Sequence, residues 1–396
     1  MPLPDRRETL GQRSGVPRRA FMAGALGTAV FARRAMAAAP IKIGAIVSST
    51  GVAAFIGDPE EKTLRLYVDR LNKAGGVAGA PIQLSLYDDA SDVGRATTFM
   101  RRLVQQDEVD LVIGATSTGS TLGIIPLAQT SKTPLISLAA GSSIVEPIRP
   151  YVFKIAQSDR LAALKVMQDM KTRGIARIAM LSETGGYGKS GREQAVAVAR
   201  EQDIAILLDE SYDERDIDLT PQVTHAMGSN AQALFVIGTG QSAAVIARNC
   251  KQLSVSFPLY CTHGQASQEF IRIAGAASEG IRLPAPALLI ADTLSPDDPQ
   301  RQVCLDYKSV FEAAYKTDVS PFGGYAFDAL NIALAAIARS GVADRAKLRT
   351  AIEQTRAYAG VSGVFTMSPT DHHGLDAAAF HMVEITGGTY REISKA

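Results

Sequence analysis

The chain has 396 residues, 46% of them hydrophobic, and a formal net charge of +1, which gives apolar material for one large or two medium cores and excludes a disordered chain. Its 41 basic and 40 acidic residues are nearly balanced, and no internal stretch supplies the clustered positive charge that nucleic-acid binding needs. Cys250, Cys261 and Cys304 are the only cysteines; they stand in no CxxC or other metal-ligand spacing, so neither a disulfide framework nor a zinc site is indicated.

The first forty residues read as an address rather than as fold. They hold no acidic residue after Glu8, and Pro17-Arg18-Arg19-Ala20-Phe21-Met22 resembles a twin-arginine export motif. The apolar run from Ala23 to Ala32 is too short to span a bilayer. Ala35 and Ala37 fit a signal-peptidase site, with cleavage expected before Ala38, so that residues 1–37 form a signal peptide and the mature chain is periplasmic.

From Pro40 onward, short β-rich apolar runs alternate with longer segments of helical period, the pattern of parallel sheets with crossover helices. Ile41 to Val47 opens the series as a strand. Helix follows from Asp58 to Lys73, closed by Gly75-Gly76, and Ile82 to Tyr87 resumes as strand. The cycle continues with helix over Asp92 to Gln105, strand over Val109 to Ile113, helix over Ser120 to Thr130 and strand over Pro134 to Ser137. A second series starts after Tyr151 to Ile155, with helix from Asp159 to Arg173 and strand from Ile175 to Ser182. Helices near Lys189 to Glu201, Thr220 to Met227 and Ser242 to Leu253 alternate there with strands at Ala205 to Leu208, Ala233 to Ile237 and Pro258 to Cys261. Pro284 and Pro286 make Gly280 to Leu289 an extended crossing between domains. Gln300 to Tyr315, Tyr325 to Arg339 and Ala346 to Thr355 then read as helices packing back on the first domain. The tail from Gly363 to Ile393 alternates like antiparallel strands.

Several local motifs occur in fixed order along this framework: Ile41-Lys42-Ile43-Gly44 with Ser49-Thr50-Gly51, Leu71-Asn72-Lys73-Ala74-Gly75-Gly76-Val77, Tyr87-Asp88-Asp89, Val112-Ile113-Gly114, and Gly186-Tyr187-Gly188-Lys189. From about Ile41 to the C-terminus the chain thereby resembles the branched-chain amino-acid-binding family of periplasmic receptors for ABC transporters. The resemblance implies an α/β fold of two Rossmann-like, doubly wound lobes joined by a multi-strand hinge, the type I periplasmic binding fold. It places residues 38–157 and 285–360 in an N-terminal lobe, and 158–284 and 361–396 in a C-terminal lobe. It also implies a monomer that closes over a small carboxylate ligand, hands it to permease subunits in the inner membrane, and uses no cofactor.

In such receptors, hydroxyls and backbone N–H groups at strand-to-helix turns hold the ligand carboxylate. The matching parts here are Ser117 and Thr118 after one strand, and Ala139, Ala140 and Gly141 after the next, where a threonine of the family is replaced by Gly141 or, with a one-residue shift, by Ser142. Tyr187 matches an aromatic that covers the ligand. Thr239 and Gly240 fall at another pocket position, Phe322 at a further aromatic, and Phe55 and Ile56 in the first strand-to-helix loop. Asp159 occupies one acidic position that would meet an amine, but His263 stands at the other. An imidazole is a poor partner for an ammonium and a good one for a carboxylate or carbonyl. That points to a ligand without an α-amine, and Phe55-Ile56-Gly57-Asp58-Pro59-Glu60-Glu61 and Met367-Ser368-Pro369-Thr370-Asp371 resemble the family's receptors for aromatic acids; the resemblance implies an aromatic or oxo acid, of the benzoate or benzoylformate type, with a branched-chain amino acid as the alternative.

Other functions fit less well. Gly188-Lys189-Ser190 resembles the end of a phosphate-binding loop, but Glu183 occupies the glycine position upstream and would repel phosphate. Gly238-Thr239-Gly240 lacks the third glycine of a dinucleotide site. His372 and His373, near Asp371 and Asp376, read as a solvated loop rather than a metal site. A ligand-sensing regulatory module is the remaining alternative of another class, and an enzyme is not expected.

Overall fold

A computed structural model describes residues 39–342 and 344–393; the export signal and the cleavage point before Ala38 lie outside them. The first sheet contains β1 (Ile41–Val47), β2 (Ile82–Asp88), β3 (Leu111–Gly114), β4 (Leu135–Ser137) and β5 (Val152–Lys154), all parallel, in the order β2-β1-β3-β4-β5. Helices α1 (Ala54–Lys73), α2 (Val93–Gln105) and α3 (Thr118–Ser131) connect them. The chain then passes through α4 (Asp159–Thr172) into a second sheet of β6 (Arg177–Glu183), β7 (Ala205–Tyr212), β8 (Ala233–Ile237), β9 (Leu259–Cys261) and β10 (Arg282–Ala285). Helices α5 (Gly186–Glu201), α6 (Thr220–Gly228), α7 (Gln241–Gln252) and α8 (Gln268–Ala274) alternate with these strands. Then follow α9 (Arg301–Tyr315), α10 (Pro321–Ser340), α11 (Arg345–Glu353), the pair β11 (Tyr358–Ala359) and β12 (Val364–Phe365), and β13 (His381–Thr386) with β14 (Thr389–Glu392). The second sheet runs β14-β13-β10-β9-β8-β6-β7, with β13 and β14 antiparallel at its edge.

Local chemistry sets the helix starts. Asp92 accepts from the Arg95 amide ahead of α2, Ser117 from Ser120 ahead of α3, and Ser158 from Leu161 ahead of α4, each satisfying an amide that the first turn leaves open. Strands β3 and β8 are buried along their whole length, as strands covered on both faces must be. In the first lobe Ile43, Ile113 and Ile136 pack with Leu330, Ile337 and Leu348 of α10 and α11. Helix α10 is apolar and long enough to cross a membrane, but most of its side chains are spent on this core.

The crossings between lobes are tied by polar bonds. Gln157 donates its side-chain amide to the Ser362 and Ala379 carbonyls (2.5 and 3.3 Å), while Asp328 of α10 accepts from the Val361 and Ser362 amides at 3.0 and 2.9 Å. Two segments depart from the division expected from sequence. The stretch after residue 361 was expected in the C-terminal lobe, yet Phe365 and Met367 are buried in the first-lobe core and the Lys154 amide donates to the His372 carbonyl (3.1 Å). Helix α9 meets α1 through Tyr307 and Thr63 (2.8 Å), as expected, but Cys304 and Phe311 also continue the apolar cluster of the second lobe. All three cysteines are buried free thiols, and burial pushes the Cys250 thiol up to about 12.

Candidate functional site

Both sheets wind outward from an internal strand: β1 and β3 diverge in the first, β6 and β8 in the second. In open parallel sheets a crevice forms at such switch points, beyond the carboxyl ends of the strands. Here the two crevices face each other around a cavity of about 220 Å³. The first lobe contributes Ala53 and Ile56 after β1, Thr116 to Gly119 after β3, and Leu138 to Ala140 after β4. The second contributes Glu183 to Tyr187 after β6, with Glu214 after β7, Thr239 after β8, and His263 and Gly264 after β9; Thr184 does not reach it.

Of the residues expected from sequence, Ile56, Ser117, Thr118, Ala139, Ala140, Tyr187, Thr239, His263 and Phe322 line this cavity; Phe55, Gly141, Asp159 and Gly240 do not. Phe55 instead stands edge-on to Phe322, with ring centroids 5.7 Å apart. Gly240 is its seat: with φ of +73° and the Phe55 ring 3.1 Å from where a Cβ would lie, no larger residue fits there without strain. Gly141 lies behind Thr118 and donates its amide to the Thr118 hydroxyl (3.2 Å). Asp159 stands outside the lining. One carboxylate oxygen accepts from the Ser142 amide (3.1 Å), the Ser142 hydroxyl and the Arg160 amide (2.8 Å) and so fastens the start of α4, while the other is buried without a hydrogen-bond partner among the described residues.

Glu183, Glu214 and Tyr325 are among the lining residues that sequence reasoning missed. Glu183 is buried and accepts from the Thr239 amide (2.8 Å) and hydroxyl (3.3 Å). Burial raises its pKa to about 7; the Thr239 bonds oppose the shift and the Glu214 carboxylate adds to it. Between about pH 4.5 and 7 the folded chain therefore keeps a proton that the unfolded chain has released, and this carboxyl costs stability as pH rises. Replacing Glu183 with Gln should improve relative stability by roughly 3 kcal/mol between pH 4.5 and 8. Urea unfolding of both chains at the two pH values checks this, and a difference that stays flat would show that Glu183 does not titrate there.

His263 is 2% exposed, and its pKa is lowered to about 3, first by burial and then by the Lys154 ammonium. The imidazole is thus uncharged at neutral pH. Its ring meets Tyr187 edge-on (6.0 Å) and Phe380 at a tilt (5.0 Å). Behind it, fully buried Lys154 donates to the Ala156 carbonyl and lies 3.4 Å from His373 Nε2, with its pKa lowered by burial to about 7. His372 and His373 are not a solvated loop. Both are buried, His372 Nδ1 at 2.8 Å from the Val152 carbonyl and His373 Nε2 at 3.0 Å from that of Ala156. Among the described residues no group of three or more His, Cys, Asp or Glu side chains is placed to hold a metal ion.

Comparison with known proteins agrees with this architecture. A family model described as periplasmic binding protein matches residues 40–389. The leucine-, isoleucine-, valine-, threonine-, and alanine-binding protein of Pseudomonas aeruginosa is 24% identical over 346 residues, 86% of this chain and 89% of that protein. An extracellular ligand-binding receptor from Rhodopseudomonas palustris superposes with a TM-score of 0.84 at 26% identity, over 89% of this chain and 99% of the receptor. The isoleucine-bound substrate-binding protein of a Streptococcus pneumoniae branched-chain amino acid transporter shares the fold, with a TM-score of 0.77 at 22% identity over 89% and 98% of the two chains.

Proposed function

Since this chain belongs to the periplasmic binding protein family, as a solute-binding receptor of the branched-chain amino-acid ABC transport type, we propose that its ligand is a small α-amino acid. Export through the twin-arginine signal expected in residues 1–37 is part of the same proposal.

The observation that carries this reading is the charge of the lining: two carboxylates, Glu183 and Glu214, and no lysine or arginine. A simple carboxylate such as benzoate would enter a negative cavity with only amide dipoles and hydroxyls to oppose the repulsion. A zwitterion brings its own cation. The expectation of an amine-free acid rested on His263 as a partner for anions and on a shortage of acids for an amine, and its aromatic character on two segments that resemble aromatic-acid receptors. The uncharged imidazole adds no positive charge to oppose the repulsion of an anion, and the acidic pair at the ends of β6 and β7 supplies the acids for an amine. In the proposed pose the ligand carboxylate faces Ser117, Thr118 and the first amides of α3, where the helix N-terminus adds positive potential. The ammonium faces Glu183, and the apolar body lies against Ile56, Leu138 and Phe322. Lobe closure then presents the loaded form to the permease.

The test is calorimetric titration of the chain recovered from the periplasm, which should begin at Ala38. The panel is leucine, isoleucine, valine and threonine against benzoate, 4-hydroxybenzoate and benzoylformate. At least one amino acid should bind with a dissociation constant on the order of micromolar, the range that charge-assisted hydrogen bonds support. Binding of the amine-free acids alone would overturn the reading.

A further inference from the structure

One wall of the cavity carries more hydrogen-bonding capacity than the protein uses. The Tyr187 and Tyr325 hydroxyls and His263 Nδ1 are buried, and none makes a well-aligned hydrogen bond to the described residues. The three side chains come from separate elements, the first turn of α5, the second turn of α10 and the turn after β9, and all line the cavity. Thr262, beside Tyr187, donates its hydroxyl to the Gly238 carbonyl (3.3 Å), and its oxygen remains an acceptor that opposes the rise in the Tyr187 pKa. Burial pushes both tyrosine pKa values well above their ordinary value, so each phenol keeps its proton, and the uncharged imidazole offers either a lone pair or an N–H.

A ligand ammonium placed at Glu183 can reach Tyr187, whose phenol feels the Glu183 carboxylate, but it leaves the His263 end of the wall unserved. In the second sheet β8 lies between β6 and β9, and at about 4.8 Å per strand Glu183 and His263 stand roughly 10 Å apart along the strand ends. The carboxylate is placed on the opposite lobe, at the start of α3. We infer that the natural ligand carries a third polar group, a hydroxyl or a carbonyl on its side chain, received by the Tyr187 and Tyr325 hydroxyls and His263 Nδ1. The ligand is then a polar-tailed amino acid rather than a purely aliphatic one. This rests on the amino-acid reading only for the place of the ammonium; the demand for a polar tail stands on the wall itself.

Matched pairs that differ by one hydroxyl separate the two ideas: valine with threonine, phenylalanine with tyrosine, benzoate with 4-hydroxybenzoate, each titrated into the full mature chain and into Tyr187→Phe and Tyr325→Phe. In the wild type the hydroxyl-bearing member of whichever pair binds should do so at least about tenfold more tightly, because its partner leaves buried polar groups unpaired. That advantage should shrink to under about threefold in at least one tyrosine variant. Equal affinities within every binding pair would overturn the inference and leave the amino-acid reading intact. Discrimination within the benzoate pair alone would overturn the amino-acid reading and leave the inference standing. A ligand-free arm decides the case in which no pair binds: Tyr325→Phe removes an unpartnered hydroxyl, so its melting temperature should equal or exceed that of the wild type. A fall of several degrees would mean that the protein itself already pairs that hydroxyl, and the inference would fail.

Discussion

Gly186→Val should weaken ligand binding by at least about a hundredfold, equivalent to about 2.7 kcal/mol, while the ligand-free chain melts at the wild-type temperature. A Cβ at position 186 would lie 2.8 Å from the Gly119 amide nitrogen and 3.0 Å from its Cα. Gly186 opens α5 in the second lobe and Gly119 sits in the first turn of α3 in the first. The contact is therefore made between lobes, backbone against backbone, and neither side can step aside. When the lobes part, the same valine meets solvent, and a β-branched residue at a helix start costs little. Calorimetry measures the affinity, thermal melting the ligand-free stability, and small-angle scattering the compaction on ligand addition, which the variant should lack. Unchanged affinity, or a loss of ligand-free stability that matches the loss of binding, would show that the two glycines do not govern closure.

Gly188→Ala, two residues further on, should do the reverse: lower the stability of the ligand-free chain by about 2–4 kcal/mol. Here an added Cβ would fall 1.9 Å from the Glu183 carbonyl oxygen and 2.4 Å from Glu183 Cγ. Both partners belong to the same turn, from β6 into α5, so the clash is present whether the lobes are open or closed. Relieving it must push α5 off the strand end and take Tyr187 with it, so affinity should fall as well. Denaturant unfolding without ligand is the decisive measurement, and wild-type stability would mean that the turn has room to relax. Taken together, the two variants separate the glycine that allows closure from the glycine that allows the turn.

The alternation of strands and helices was legible because period and turn chemistry are local properties of the chain. Strand Ala233 to Ile237 falls where the apolar run puts it, and Ser117 and Thr118 reach the cavity because a hydroxyl cluster between a buried strand and a helix has few other places to go. What escaped depends on direction. Whether the last residue of β6 points into the crevice is decided by the pleat and by pairing with β8, so Ser182 and Glu183 could not be told apart from sequence. Tyr325 was overlooked because α10 was expected to begin there, whereas it begins at Pro321. Ser320 capping Phe322 and proline at the first helical position were the signals of that earlier start. Glycines had a similar effect on α5, which begins at Gly186 rather than near Lys189 and so carries Tyr187 in its first turn. Asp159 shows a second limit: an acid at the threshold of a lobe invites an amine, but Ser142, seventeen residues earlier in the chain, folds back to bond one of its two oxygens.

The three unpaired thiols have a consequence for how this protein is made. Cys250, Cys261 and Cys304 are walled into apolar surroundings that hold each thiol in its protonated, unreactive form. No step of folding waits on an oxidant, and no rearrangement of sulfur bonds is needed afterwards. The molecule can reach its final shape in a reducing interior, where thiols stay reduced, and keep it unaltered in an oxidising space outside. Its maturation is indifferent to redox conditions on either side of the membrane.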